Sequence, residues 1–160
     1  METASRIAEL SVEPRKSKWP KAVMIAIPLF LFGAVAWMGY NGEMEAIKQT
    51  AVAWLAINAG LTGLGVLLAR GHLLSVLVGA IASPITSLNP FLAAGWFAGY
   101  TQLKVTPPTG GDAQEFLDLN DLSLFWKNRV GKVLMVTAMG NLGSVAGTWI
   151  AAAGIASMLL

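Results

Sequence analysis

One stretch constrains this chain more than any other: Ser83-Pro84-Ile85-Thr86-Ser87-Leu88-Asn89-Pro90. It is polar and holds two prolines, yet it sits inside Leu73 to Leu103, where no side chain is charged. Proline removes a backbone donor and clashes with the preceding helical turn, so one straight helix should not run through it. An unbroken helix over that range would also be about 46 Å long, well beyond a ~30 Å hydrocarbon core. The expectation is two half-helices, 73–82 and 91–103, meeting at a polar break. Broken backbone at membrane depth is tolerated only when it is buried in protein or faces a water-filled cavity. The break is therefore either the packing centre or the functional centre of a membrane fold.

The charge distribution points the same way. Only 12% of the 160 residues are charged and 55% are hydrophobic, whereas soluble domains are about a quarter charged. No charge lies between Lys21 and Glu43, between Lys48 and Arg70, between Arg70 and Lys104, or after Lys132. These are the intervals of an all-α polytopic membrane protein. The net charge of +2 does not indicate nucleic acid, because the basic residues flank apolar runs. With no cysteine there is no disulfide or thiolate chemistry.

Taken in order, 1–21 reads as a polar, basic tether ending near Trp19 at the headgroup level, and 22–160 as one transmembrane domain. Three spanning helices are expected, at about 22–40, 49–69 and 133–160. The first holds Pro28, which should kink it. The second carries Asn58 and Thr62 among small residues; Asn58 is either a bond between helices or a substrate contact. In the third, Asn141, Ser144 and Thr148 share one face, beside Gly140, Gly143 and Gly147. Gly95 and Gly99, like Gly143 and Gly147, have the spacing at which helices pack closely. From 112 to 126 an amphipathic interfacial helix is expected, capped by Asp112 with Glu115 three residues on. Phe116, Leu119, Leu122 and Phe125 lie at helical spacing along it. Its acids suit docking on protein as well as lying on lipid. His72 is the sole histidine, and metal sites need several convergent ligands. No metal, cofactor or catalytic set is legible.

The positive-inside rule selects a topology. If Leu73 to Leu103 enters and leaves on one side, ten of the eleven basic residues lie in the cytoplasm, with Lys48 alone outside. A single crossing leaves six inside and five outside. Two full crossings give the same sidedness but demand long arms. The expected architecture is therefore three spans, a Pro-broken re-entrant helical hairpin and an interfacial helix, in the cell membrane with a cytoplasmic N-terminus.

Several ordered segments resemble the membrane domain of prokaryotic, notably archaeal, TraB-family proteins of the pheromone-shutdown type. They are Gly71-His72-x-Leu74-Ser75, Ala82 to Pro90, Ala93-Ala94-Gly95-Trp96, Phe125-Trp126-Lys127-Asn128-Arg129 and Asn141-Leu142-Gly143-Ser144-x-x-Gly147-Thr148. The similarity runs from about Trp54 to Ile150. The chain departs from the family pattern at Leu73, where proline is frequent, and at Val105-Thr106-Pro107-Pro108, where a basic-Pro pair is frequent. Family members commonly add an N-terminal domain similar to metal-dependent hydrolases and peptidases. The resemblance implies that the 21-residue head matches the linker after such a domain, and that no hydrolase residue carries over to this chain.

Two functions follow. The first is a membrane anchor or scaffold for a cytoplasmic-side domain of this or another chain, with the lipid bilayer and a second copy as partners. The alternative is a small-solute transporter or channel. Its midplane site would be lined by Ser83, Thr86, Ser87 and Asn89, with Asn58 and Asn141 opposite. An intramembrane enzyme ranks last, since no acid or activated nucleophile lies at membrane depth.

Overall fold

The computed structural model describes residues 29, 32–33, 35–42, 44–89, 92–118 and 121–159. The expected tether, the Pro28 kink and most of the first expected span lie outside these residues. Helical backbone at 35–40 ends in a turn at Asn41–Gly42, where Gly42 has φ 77°.

The described residues are helical, with no strand. In chain order the helices are α1 (Met44–Leu68), α2 (Leu73–Thr86), α3 (Ala94–Val105), α4 (Gly110–Asp118), α5 (Leu124–Lys127) and α6 (Arg129–Leu159). α1 and α6, at 25 and 31 residues, reach about 38 and 46 Å. α2 and α3, at 14 and 12 residues, reach only about 21 and 18 Å. Met44–Leu68 and Arg129–Gly154 are long and apolar enough to cross a membrane.

Residue pairings fix the arrangement. Thr62 of α1 meets Ser83 of α2, and Gly63 lies against Val76 and Ala80, so α1 and α2 are antiparallel. The start of α2 meets the end of α3, where the His72 amide and the Ser75 hydroxyl donate to Gln102 Oε1 at 2.7 and 3.1 Å. Further along, Gly79 faces Ala98. α3 runs antiparallel to α6, with Gly95 against Asn141 and Gly99 against Thr137. α6 returns along α1, with Gly65 beside Met139, Gly143 beside Leu61 and Gly147 beside Asn58. The four form an up-down-up-down ring in which two long helices clasp a short helical hairpin. A small core of Val66, Ala69, Val76, Ala98 and Val136 sits where all four meet, with Met135 and Met139 packed on it.

The tight turn between α1 and α2 is closed by a non-glycine residue in left-handed backbone. Gly71 N–H donates to the Val66 carbonyl and Arg70 N–H to that of Leu67, the pattern of a Schellman cap. Arg70 takes φ 55° there. Glycine is reserved for the next position, where a side chain would lie 2.7 Å from Val66.

The structure corrects several expected boundaries. α2 does not stop at Ala82 but passes through Pro84 to Thr86. Its last carbonyls then find side-chain donors: Thr86 Oγ1 and Ser87 Oγ both reach the Ser83 carbonyl, and Trp54 Nε1 of α1 donates to the Pro84 carbonyl at 3.3 Å. The non-helical connection is thus shorter, and α3 starts at Ala94, not 91. α1 starts at Met44, ahead of 49, with an exposed Glu45–Lys48 pair in its first turns. α6 starts at Arg129, ahead of 133, because Asn128 caps it: Asn128 Oδ1 accepts from the amides of Val130 and Gly131 at 2.8 and 3.4 Å.

The expected 112–126 helix is two helices, α4 and α5. Asp121 accepts both the amide and the hydroxyl of Ser123, and this Asx turn interrupts it. The cap of α4 is also one turn earlier than expected. Thr109, not Asp112, is the cap; Thr109 Oγ1 accepts the Asp112 amide, and Asp112 accepts the Thr109 amide and hydroxyl in return. Phe116 and Phe125 meet edge-to-face at 5.4 Å, folding α5 onto α4.

The glycine contacts generate a paired prediction. A methyl at Gly143 would strike the Leu61 carbonyl, which is backbone and cannot swing aside. Gly143→Ala should cost about 1–3 kcal/mol, the usual range for overpacking. Gly60→Ala, in α1 and with nothing within 4 Å, should be neutral or gain up to about 1 kcal/mol of helix propensity. Thermal unfolding of both variants in detergent checks the contrast; equal behaviour would mean that α1 and α6 do not meet at these glycines.

Candidate functional site

The polar residues of the expected break converge near the tip of the α2–α3 hairpin, and α1 and α6 add others. Asn58, Thr62 and Ser83 are fully buried, and Ser144 is nearly so. Thr62 Oγ1 donates to Ser83 Oγ at 2.6 Å, and Ser83 Oγ donates to Ser144 Oγ at 3.0 Å. Ser144 and Ser87 hydroxyls lie 3.3 Å apart, and Ser87 Oγ donates to Asn58 Oδ1 at 2.8 Å. Thr148 Oγ1 reaches the same oxygen at 3.2 Å. The run Thr62, Ser83, Ser144, Ser87, Asn58 is continuous; each hydroxyl has one proton, so Ser87 shares its own between Asn58 Oδ1 and the Ser83 carbonyl, and Thr148 between Asn58 Oδ1 and the Ser144 carbonyl. Asn58 closes the run by donating from Nδ2 to the Trp54 carbonyl at 3.0 Å. Among the described residues no buried side-chain nitrogen or oxygen lacks a partner.

The remaining expected site residues stand around this network. Thr86 bonds within its own helix. Asn141 accepts the Gly95 amide at 2.8 Å and so ties the start of α3 to α6. Asn89 is exposed at the tip. Beside them is an open recess of about 320 Å³. Thr86, Ser87 and Asn89 line one side, and Asn141, Ser144 and Thr148 the other, with Leu92, Val145 and Trp149 at its apolar rim. Thus Asn58, Ser83 and Ser87 share one buried network, while Thr86, Asn89 and Asn141 border the recess. Pro90 lies outside the described residues. Gly95 and Gly99 face Thr137, and Gly143 and Gly147 face α1.

A second polar cluster, at the opposite end of the hairpin, was not anticipated. Gln102 is 1% exposed; it receives His72 and Ser75 and donates from Nε2 to Thr106 Oγ1 at 2.7 Å. The available signal was a lone amide one residue before the end of an uncharged run. His72 caps α2 by accepting the Leu74 amide on Nδ1. Among the described residues no three His, Asp or Glu side chains converge as metal ligands. Asn128 Nδ2 bonds the Asp112 carbonyl and Glu115, so the cap of α6 also holds α4.

Two exposed carboxyls are perturbed. The Thr109 hydroxyl, then its amide, holds Asp112 below the usual aspartate range; the Ser123 amide, then its hydroxyl, does the same for Asp121. A lowered folded value means stabilisation that is fully present above the unfolded aspartate pKa and lost as pH falls through the lower folded one. The N-terminus of α4 should fray only in that acidic window. Thr109→Val should return the Asp112 titration toward the ordinary value, readable by NMR of the carboxyl carbon; an unmoved titration would refute the reciprocal cap.

The bundle and its uncharged polar core define a class, an all-helical module with helices able to cross a membrane. More specifically, residues 19–160 match the family model described as TraB family protein, C-terminal domain, and the chain belongs to that family. It is also 31% identical over 145 residues to an uncharacterized protein of Methanocaldococcus jannaschii, covering 88% of this chain. The chain spans 36% of that relative's length. No solved structure matches it.

The network yields a mutational prediction. Asn58→Leu removes the acceptor shared by Ser87 and Thr148. Both hydroxyls retain a carbonyl one turn back in their own helices, those of Ser83 and Ser144. The loss should therefore be modest, about 1–2 kcal/mol, as for polar contacts between membrane helices. Chemical unfolding in mixed micelles measures it; a loss above about 4 kcal/mol would show that these fallback bonds do not form.

Proposed function

We propose that this chain is a membrane anchor and scaffold: α1 and α6 cross the bilayer, and α2–α3 is a re-entrant hairpin lodged between them. The observation that carries the reading is the hairpin geometry. Its arms reach about 21 and 18 Å, too short for a ~30 Å core, and their outer ends are joined through Gln102. Both arms therefore return to one side. Only 33% and 22% of the apolar windows of α1 and α6 are buried, which argues against their being core helices of a soluble protein. Leu67, Leu73, Ile81, Ile85, Trp96, Tyr100, Leu142 and Trp149 are more than half exposed, as lipid-facing side chains would be.

The end where α1 and α3 finish and α6 begins carries Arg70, Lys104, Lys127, Arg129 and Lys132, and this end is the cytoplasmic one by the charge rule. On that side the anchor holds a water-soluble domain of the same or another chain. Anchoring is favoured over transport because the buried hydroxyls bond one another and leave no charged side chain at depth to couple to an ion. Self-association through the exposed apolar faces belongs to the same reading.

The test exploits the absence of native cysteine. Single cysteines at Asn41, Gly71 and Gly110 are labelled with a membrane-impermeant maleimide in oriented vesicles. Gly71 and Gly110 should label from one side and Asn41 from the other. Opposite sidedness of Gly71 and Gly110 would mean that the hairpin crosses the membrane.

A further inference from the structure

We infer that the turn closing α1, Arg70–Gly71–His72, together with Lys132, binds the headgroup of an anionic phospholipid in the leaflet at the basic end. The inference rests on the membrane placement proposed above, which puts the end of α1 and the start of α6 at headgroup level.

Arg70 takes left-handed backbone, φ 55°, at a helix-capping position that glycine fills without steric cost. The turn gains nothing locally from an arginine there. The fold does not use its side chain either: among the described residues the Arg70 guanidinium forms no ion pair, hydrogen bond or ring contact, and the same holds for the Lys132 ammonium. The other cations of this end are engaged. Arg129 donates to the Pro107 carbonyl, Lys104 sits over the Tyr100 ring at 5.4 Å, and Lys127 acts on Asp121.

The two unpaired cations belong to one corner of the bundle. A carbon added to Gly71 would lie 3.0 Å from Val136, so the turn rests on α6 at that residue. Lys132 is one helical turn before Val136 and on the same face, and side chains of a helix lean toward its N-terminus, here the basic end. Of the four acids at this end, Asp112, Glu115 and Asp121 already bond Thr109, Asn128 and Ser123, and Asp118 forms no ion pair.

The surroundings select a lipid over a free anion. Leu67 and Leu68 precede the turn, Leu73 and Leu74 follow it, and all four are at least half exposed. Cations set between exposed leucines match an amphiphile, with the phosphate on the charges and the acyl chains along the leucines. A guanidinium presents forked donors to phosphate oxygens, and the N-terminus of α2 adds its positive dipole end beside it.

The test is binding of fluorescent short-chain phosphatidylglycerol and phosphatidylcholine to the full chain in neutral-detergent micelles, read by anisotropy. One cation near lipid headgroups is worth about fivefold in binding. Phosphatidylglycerol should therefore bind more than about tenfold tighter at low salt, and added salt should erode the difference. Arg70→Gln and Lys132→Gln should each cut the preference about fivefold. Lys48→Gln, at the opposite end and paired with Glu45, should leave it unchanged. Arg70→Gly suits the backbone, so thermal stability in detergent should hold or rise while the preference falls.

Equal affinity for the two lipids, or full preference retained in Arg70→Gln, would overturn the site. Lower thermal stability of Arg70→Gly would overturn it too, because the arginine would then serve the fold. Glycerol phosphate displacing the labelled lipid as well as unlabelled phosphatidylglycerol does would mean a site for free phosphate and would overturn the lipid. Binding in micelles does not depend on the direction in which the chain crosses, so failure of the re-entrant placement is read separately, from the sidedness of Gly71 and Gly110.

Discussion

The distance between the two long helices governs everything else in this molecule. Gly65, Gly143 and Gly147 remove side chains from the α1–α6 seam, so each helix lies against the other's backbone. In lipid there is no hydrophobic drive for helices to associate, and close packing plus hydrogen bonds must hold them. Here the two depend on each other. Thr148 reaches Asn58 at 3.2 Å and Ser83 reaches Ser144 at 3.0 Å. Widening the α1–α6 seam by about an ångström would put the Thr148–Asn58 bond beyond hydrogen-bond reach; the Ser83–Ser144 bond ties α6 to α2 beside it. The glycines thus set a separation at which short hydroxyl side chains can bridge, and the hydroxyls fix the register that the glycines leave smooth.

That coupling explains which features were legible in the sequence. The spacing of Asn141, Ser144 and Thr148, and of Gly140, Gly143 and Gly147, is a local property of one helix, so both faces could be read directly. Proline chemistry placed a discontinuity between Ala82 and Phe91, but its extent depends on groups supplied from elsewhere. Trp54, thirty residues away, caps the Pro84 carbonyl, and Ser87 and Thr86 cap that of Ser83. No local rule announces such partners. Gln102 escaped notice for the same reason, since its value lies in meeting His72 and Ser75 across a hairpin. The shift of the α4 cap from Asp112 to Thr109 is a different kind of miss. A threonine after two prolines satisfies the same reciprocal pattern, and the backbone chose the earlier residue.

The two ends of the hairpin are built to different purposes. At the basic end Gln102 acts as a clasp, with two donors on one oxygen and its own amide turned to Thr106. It fixes the arms where they leave the bundle. At the tip the bonds are redundant: Ser87, Thr86 and Thr148 each have an acceptor within their own helix. Redundancy makes the tip tolerant, because a hydroxyl that loses its interhelical partner is not left unsatisfied. A rigid base and a forgiving tip suit a hairpin of which only the base must keep its position relative to α4 and α5.

This asymmetry bears on anchoring against transport. A carrier that alternates between faces needs a site whose surroundings can open on both sides, and typically a charge or ion to couple the motion. The basic end of this bundle is sealed by Val66, Ala98 and Val136 and by glycine-mediated backbone contact, and opening it would separate all four helices at once. The α6 cap adds a further lock: Asn128 binds α4 with one end of its amide and the first amides of α6 with the other. Any movement of α6 that opened the basic end would have to break that cap, so a body locked there suits holding a neighbouring domain in place better than alternating between two faces.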